Sequence, residues 1–315
     1  MVTESFDVDA ARNARRARIK QRRERRLAAL AEAEFRVPIN FAVVGVQKAA
    51  TGTLYRMLAR HRMIAGGPEK EMRTFILEHL AWPEPDLSDY QRPARRGDIT
   101  LAGDATPEYI FWPHALERMH RYRPDMRLIA TFRDPIERAL SQWSMERQRD
   151  PGFPDLPEAI ATFDLERVPT EIPAGLHERE HRRRSLFTRG LYGQQLAHGL
   201  EIFPREQWLP LDFRDITGDT EATLDRITDF LGTHRFRTYP ELRHDNRTSA
   251  DHGGRAPTAS DIGRLVEVYA EDLPVFAELS GIDVSGWSTS RVVSGDLALD
   301  AFVAQLNAKL WLERR

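Results

Sequence analysis

No cysteine occurs among the 315 residues. That excludes a disulfide framework and thiolate-bound zinc, and it fits a reducing compartment such as the cytoplasm. Long apolar runs are missing too. No stretch approaches the ~20 residues of a membrane span, and the start, MVTESFDVDAARNARR, lacks the apolar core of a secretory signal. Neither sign of charge dominates: 46 Lys and Arg face 48 Asp and Glu, a formal net charge of −2. Bulk electrostatics therefore do not make the molecule a polyanion binder, no stable nucleic-acid complex is expected, and any basic function must come from local clusters. His/Asp/Glu clusters with metal-ligand spacing are absent, and His61 and His114 match none, so no metal is expected. Internal repeats are absent as well.

What is present is ordinary globular composition, 41% hydrophobic and 30% charged, in a chain long enough for one large α/β domain or two small ones. Its most informative stretch is Gly45–Leu54, GVQKAATGTL, between the apolar run Phe41–Val44 and the helical pattern TLYRMLARH. Strand, tight turn and helix in that order aim backbone N–H groups and a helix N-terminus at one spot, which suits a phosphate or sulfate. Lys48 adds a positive charge; Thr51 and Thr53 add hydroxyls. In the usual nucleoside-triphosphate loop, lysine follows the last glycine. Here it comes early, so the anion is held differently. The plainer alternative is an ordinary strand-to-helix turn.

Along the chain, Phe41–Val46, Ile99–Gly103, Arg127–Phe132 and Gln207–Phe213 read as strands. Helical patterns fall at Thr53–Arg62, Pro113–Tyr122, Ile136–Arg147, Arg189–Phe203, Thr220–Leu231, 259–270, 272–280 and 297–312. The alternation predicts an α/β fold, with a P-loop-like central parallel β-sheet flanked by helices on both faces. Residues 82–98 and 149–185 read as irregular surface segments. Residues 1–36 stand apart in composition. From Arg12 to Arg26 the chain carries nine basic residues and one acid, Glu24. The expectation is a solvated helical arm, with an acidic or anionic partner as its alternative. The domain expectation is an extension 1–36, a main domain 37–290 and an amphipathic C-terminal helix within 291–315. That helix packs on its own domain or on a second subunit, so a homodimer stays open.

Arg133 follows directly on the strand RLIATF, and Ser141 lies eight residues later in the next helix. Ligands of open parallel sheets sit beyond the carboxyl ends of the strands. Two such ends, carrying Lys48 and Arg133, can grip a ligand charged at two places. The plainer reading of Arg133 is a partner for Asp134 or Glu137.

Together these segments resemble sulfotransferases that use 3′-phosphoadenosine 5′-phosphosulfate (PAPS). The family's G-x-x-K-x-G-T-[TS]-x-L loop stands here as Gly45–Leu54, with Ala50 for the usual glycine and Gly52 for a threonine. Its R-[DN]-P-x-[ED]-R-x-x-S segment is matched in full by Arg133–Ser141. Glu69–Phe75, Gly103–Tyr109 and Arg189–Tyr192 resemble segments of the heparan-sulfate N- and O-sulfotransferase branch, which includes many bacterial enzymes. Ala105 stands where several of those enzymes have a lysine, and Gly253-Gly254-Arg255 only partly matches the family's late Lys-Gly-Arg loop. The resemblance covers about Phe41 to Asp283.

It implies sulfuryl transfer from PAPS to a hydroxyl or amine of a glycan, glycolipid or secondary metabolite, with no metal. Donor contacts would come from Lys48, Ala49, Ala50, Thr51, Gly52, Thr53, Arg133, Ser141 and Arg255. The catalytic residues would be Glu71 as general base, with Glu69 its rival, and Lys48 beside the bridging oxygen. Asp104 would orient Lys48 or Arg133, or cap a strand end. The competing readings are a P-loop kinase or other nucleoside-triphosphate enzyme and a non-enzymatic protein that binds through its basic arm. Segments 76–98 and 149–188 are expected to form the acceptor mouth, with Arg182–Arg184 as an anion-attracting cluster.

Overall fold

The structure, a computed structural model, describes residues 8–67, 69–172, 178–242 and 254–310. Helix α1 (Val8–Glu32) leads into β1 (Phe35–Pro38) and the fully buried β2 (Phe41–Gly45), which feeds α2 (Thr51–Leu58). Then come β3 (Ile64–Ala65), β4 (Gln91–Ala94), β5 (Leu101–Asp104), α3 (Ala115–Tyr122), β6 (Arg127–Phe132) and α4 (Pro135–Arg149). Helices α5 (Leu156–Thr162), α6 (Glu178–Arg184) and α7 (Tyr192–Ile202) precede β7 (Trp208–Asp212). The chain ends in α8 (Phe213–Gly218), α9 (Thr220–Phe230), α10 (Ala259–Ser280), α11 (Ser288–Ser294) and α12 (Leu299–Leu310).

Five strands form a parallel sheet in the order β3-β5-β2-β6-β7. Period-two alternation sends Phe41 and Val43 of β2 to one face, against α2, α8 and α9, and Ala42 and Val44 to the other, against α3, α4, α7, α10 and α12. Both faces are thus covered, as a parallel sheet requires. The chain leaves β2 toward β3 and β5 on one side and later places β6 on the other. The end of β2 is therefore a topological switch point, where the sheet opens a crevice.

Several expectations change. Residues 82–98 are not all loop: Gln91–Ala94 pairs antiparallel with Phe35–Pro38 in a second, two-stranded sheet. The stretch 149–185 contains α5 and α6. The two helices expected at 259–270 and 272–280 are one, α10, which continues through Pro274. The expected helix Thr53–Arg62 starts two residues earlier and ends at Leu58. The C-terminal helix packs on its own domain, with Phe302, Val303, Leu306 and Leu310 buried in the core.

The basic arm is not simply solvated. Leu30 is buried, and Arg26 is only 4% exposed, its Nε 2.6 Å from Glu69 Oε2. Arg26 also donates to the Asp89 carbonyl, and Arg23 reaches the Asp89 carboxylate at 3.3 Å. The domain boundary expected at 36/37 falls inside β1. Burial pushes the Glu69 carboxyl up, and the Arg26 guanidinium opposes that push. Removing one member of a buried ion pair costs about 3–5 kcal/mol. Arg26→Met is expected to destabilise the fold by roughly that much at neutral pH. An acid whose folded pKa exceeds its unfolded value loses stability as pH rises through that interval. The Arg26→Met deficit therefore shrinks as pH falls from 7 to 4 and Glu69 takes up its proton. Urea melts at pH 4 and pH 7 would measure it.

Candidate functional site

The turn after β2 is clamped to β6. The Val46 N–H donates to the Thr131 carbonyl at 2.7 Å, and Thr131 Oγ1 donates to the Ala49 carbonyl at 2.6 Å. Lys48 and Ala50 both take left-handed backbone, with φ of 78° and 59°. That conformation costs an L-residue about 1–2 kcal/mol. Ala50, where the resembled loop has glycine, thus carries its Cβ at the expense of strain stored in the loop. Ala50 caps α2 with no side-chain bond, and the first intrahelical bond runs from the Leu54 N–H to Ala50. The N–H groups of Thr51, Gly52 and Thr53 have no intrahelical acceptor and point off the helix start, where an anion is favoured.

Charge converges on this spot. Burial pushes the Lys48 ammonium down to about 8, and the nearby guanidiniums of Arg149, Arg133 and Arg138 push in the same direction. Glu146 alone opposes them among the influences on Lys48. Arg138 is fully buried, and the Nε atoms of Arg133 and Arg138 have no hydrogen-bond partner among the described residues. Such a set of crowded, under-compensated cations fits a multiply charged oxyanion. The two strand ends singled out from the sequence do meet. Arg133 itself rests on Glu137, with Nη2 to Oε2 at 2.6 Å, its guanidinium over the Phe213 ring and its carbonyl accepting from the Tyr192 hydroxyl. The plainer pairing with Glu137 is therefore also real. Lys309 of α12 reaches the same Glu137 carboxylate at 3.5 Å. Asp134 caps α4 by accepting from the Glu137 N–H and also accepts from the Thr289 N–H at 2.7 Å, tying the motif to the C-terminal segment.

Glu71 lies on an irregular loop fastened at several points. The Met72 N–H donates to Asp104 Oδ1, the Arg73 N–H to Thr106 Oγ1, and the Ala105 N–H to the Lys70 carbonyl. Phe75 anchors the loop's far end, wholly buried against the rings of Tyr90, Tyr109 and Tyr122. Asp104 also accepts the Tyr90 and Tyr109 hydroxyls. Its described contacts hold this loop and reach neither Lys48 nor Arg133, which corrects the orienting role expected for it. Glu71 itself stays a third exposed, with Oε1 3.0 Å from Lys70 Nζ and Oε2 3.6 Å from Arg73. Lys70 Nζ lies 3.5 Å from where a Cβ on Gly52 would stand, so it bridges Glu71 to the first turn of α2. Glu69, the rival base, is locked on Arg26.

The sequence reading missed a buried charge hub. Glu108, 2% exposed, faces Arg73 at 2.8 Å, Arg182 at 2.9 Å and Arg189 at 3.8 Å. Arg189 in turn donates to the Gln47 side chain at 2.9 Å, linking the Arg-Gly-Leu-Tyr segment to the turn after β2. A lone acid flanked by Pro107 and Tyr109 offered no sign of three distant arginines. The hub also corrects the anion-attracting cluster: Arg182 serves Glu108, Arg183 pairs with Asp150 at 2.7 Å and Arg184 with Glu180 at 2.9 Å. Ser141 sits half-buried on α4. Arg255 is more than half exposed and held to Asp261 at 3.5 Å, with no contact to Lys48 or Arg133. Gly253 of its partial motif lies outside the described residues.

Known proteins share parts of this sequence and its fold. Residues 90–237 match the family model described as Sulfotransferase family. Human heparan sulfate glucosamine 3-O-sulfotransferase 6 is 30% identical over 198 residues, covering 62% of this chain and 53% of that protein. Human heparan sulfate glucosamine 3-O-sulfotransferase 3B1 is 27% identical over 267 residues, covering 78% and 64%. The chain thus spans between half and two thirds of these relatives' lengths. A sulfotransferase crystal structure from Alicyclobacillus acidocaldarius shares the fold, with a TM-score of 0.57 at 23% identity over 79% of this chain and 98% of that one. Among the described residues, no helix is long and apolar enough to cross a membrane, and no group of three His, Asp or Glu is arranged to hold a metal.

Proposed function

We propose that this chain, which belongs to the sulfotransferase family, moves a sulfuryl group from PAPS to a hydroxyl or amine of a glycan or other small acceptor. The observation that carries the reading is the convergence of Lys48, Arg133 and Arg138 with the open N–H groups of α2, beside a loop that presents Glu71.

Sulfuryl transfer resembles phosphoryl transfer in passing through a loose transition state, so the protein mainly positions groups and stabilises charge. Lys48 and the N–H groups of residues 51–53 hold the phosphosulfate end. Arg133 and Ser141 hold the 3′-phosphate, and Arg255 joins them only by leaving Asp261. Lys48 offsets charge that develops on the leaving bisphosphate. Glu71 takes the acceptor's proton, and Lys70 and Arg73 keep that carboxylate aimed. Arg73 spans Glu71 and Glu108, so the buried hub and the base share one rigid arrangement.

A kinase-like reading needs a lysine next to Ser or Thr at the loop's end and an acid for Mg²⁺. Here Ala49 follows Lys48, and the neighbouring strand runs into Arg133. Isothermal titration separates the two. Adenosine 3′,5′-bisphosphate should bind equally with and without EDTA, while ATP with Mg²⁺ should bind at least tenfold more weakly. The reverse order would sink the proposal.

A further inference from the structure

Between α1, α2 and the segment before Glu71 lies a cavity of about 560 Å³. Its wall includes Arg22, Arg56, Arg60 and Lys70, with Glu241 the one acid among the lining residues. Neither Arg22 nor Arg60 makes an ion pair with another described residue. Behind the wall, Arg92 is fully buried, and both its terminal amino groups lack a hydrogen-bond partner among the described residues. Its guanidinium packs on the Tyr55 ring and against Gly67, both of which line the cavity. Like-charged side chains gathered around a hollow repel one another, and the two buried amino groups of Arg92, whose Nε alone donates to the Gly103 carbonyl, add positive charge behind the wall. An oxyanion in the cavity relieves the repulsion.

Arg22 belongs to the basic arm and reaches this wall because the arm docks. Four residues along, on the same face of α1, Arg26 is buried on Glu69, itself adjacent to Lys70. The arm is thereby fixed to the segment that carries the base, and Thr53 of α2 lines the same cavity.

We propose that the N-terminal helix completes an oxyanion subsite, in which Arg22 joins Arg56, Arg60 and Lys70 to hold a phosphate or sulfate group borne by a larger ligand. The group belongs either to the nucleotide or to an anionic acceptor; the chemistry is the same. The subsite stands on the cavity, and naming its ligand as donor or acceptor rests on the function proposed above.

Calorimetry on the full chain tests it with two probes, adenosine 3′,5′-bisphosphate and a sulfated heparin hexasaccharide, at two salt concentrations. Arg22→Ala should weaken one of them about tenfold and flatten its salt dependence, whereas Arg25→Ala, also exposed on the arm but outside the cavity wall, should leave both unchanged. Loss of the nucleotide assigns the subsite to the donor, and loss of the hexasaccharide assigns it to the acceptor. If Arg22→Ala changes neither, if Arg25→Ala matches it, or if the wild type binds neither probe, the subsite is overturned. Nucleotide binding that Arg22→Ala leaves intact, with no hexasaccharide effect, removes the arm and keeps the function proposed above.

Discussion

Glu71→Gln should lower kcat by about 10²- to 10⁴-fold while leaving the dissociation constant for adenosine 3′,5′-bisphosphate within threefold of wild type. A positioned general base supplies about that factor. The amide keeps the shape and can still accept from Lys70, so the loop fastened through Asp104, Thr106 and Phe75 should stay put. Single-turnover assays with radiolabelled donor would separate chemistry from product release. A variant that loses nucleotide affinity instead would identify Glu71 as a structural partner of Lys70 and Arg73. Full activity would move the base elsewhere, and Glu69 could not replace it without leaving Arg26.

Lys48→Met should reduce kcat/KM by about 10²- to 10³-fold, the usual effect of removing one donor to a developing charge. Two further readouts come from its depressed pKa. The free enzyme carries the ammonium only below about pH 8, so kcat/KM for the donor should fall as pH rises through 8. Lys48→Arg should move that fall out of the accessible range, because a guanidinium stays charged. The effect on stability has the opposite sense. The unfolded chain holds the lysine's proton up to about 10.5 and the folded chain only to about 8. Between those values stability rises with pH, and below 8 the full penalty is present. Without ligand, Lys48→Met should therefore be more stable than wild type at pH 7, by on the order of 1–3 kcal/mol. Thermal melts with and without nucleotide would show that gain together with loss of the ligand-induced rise in Tm.

Four of the sheet's five strands were legible because they are buried and read as apolar runs, Phe41–Val44 and Arg127–Phe132 above all, whereas the two-residue β3 offered no such run. The two cationic strand ends followed from the same reading. What escaped was pairing across long sequence separations. Gln91–Ala94 contains Pro93 and the charged Arg92, so it read as loop, yet it completes an antiparallel pair with Phe35–Pro38. The arm's arginines look alike in sequence; only the fold singles out Arg26, through an acid 43 positions away. Glu108 was hidden for the same reason. The segment was read as two helices parted at residue 271, but α10 runs straight through there and past Pro274, while its Leu273 and Phe276 stay in the core. Glu71 over Glu69 rested on motif register, and the buried partner of Glu69 now supplies a physical reason for that choice.

Glu137 touches two cations from different parts of the chain, Arg133 and Lys309. Were Arg133 to turn from Glu137 toward the phosphate proposed above, the carboxylate would keep the α12 ammonium beside it. The exchange would cost less than breaking an isolated pair, and on that proposal the last helix would take a silent part in nucleotide binding.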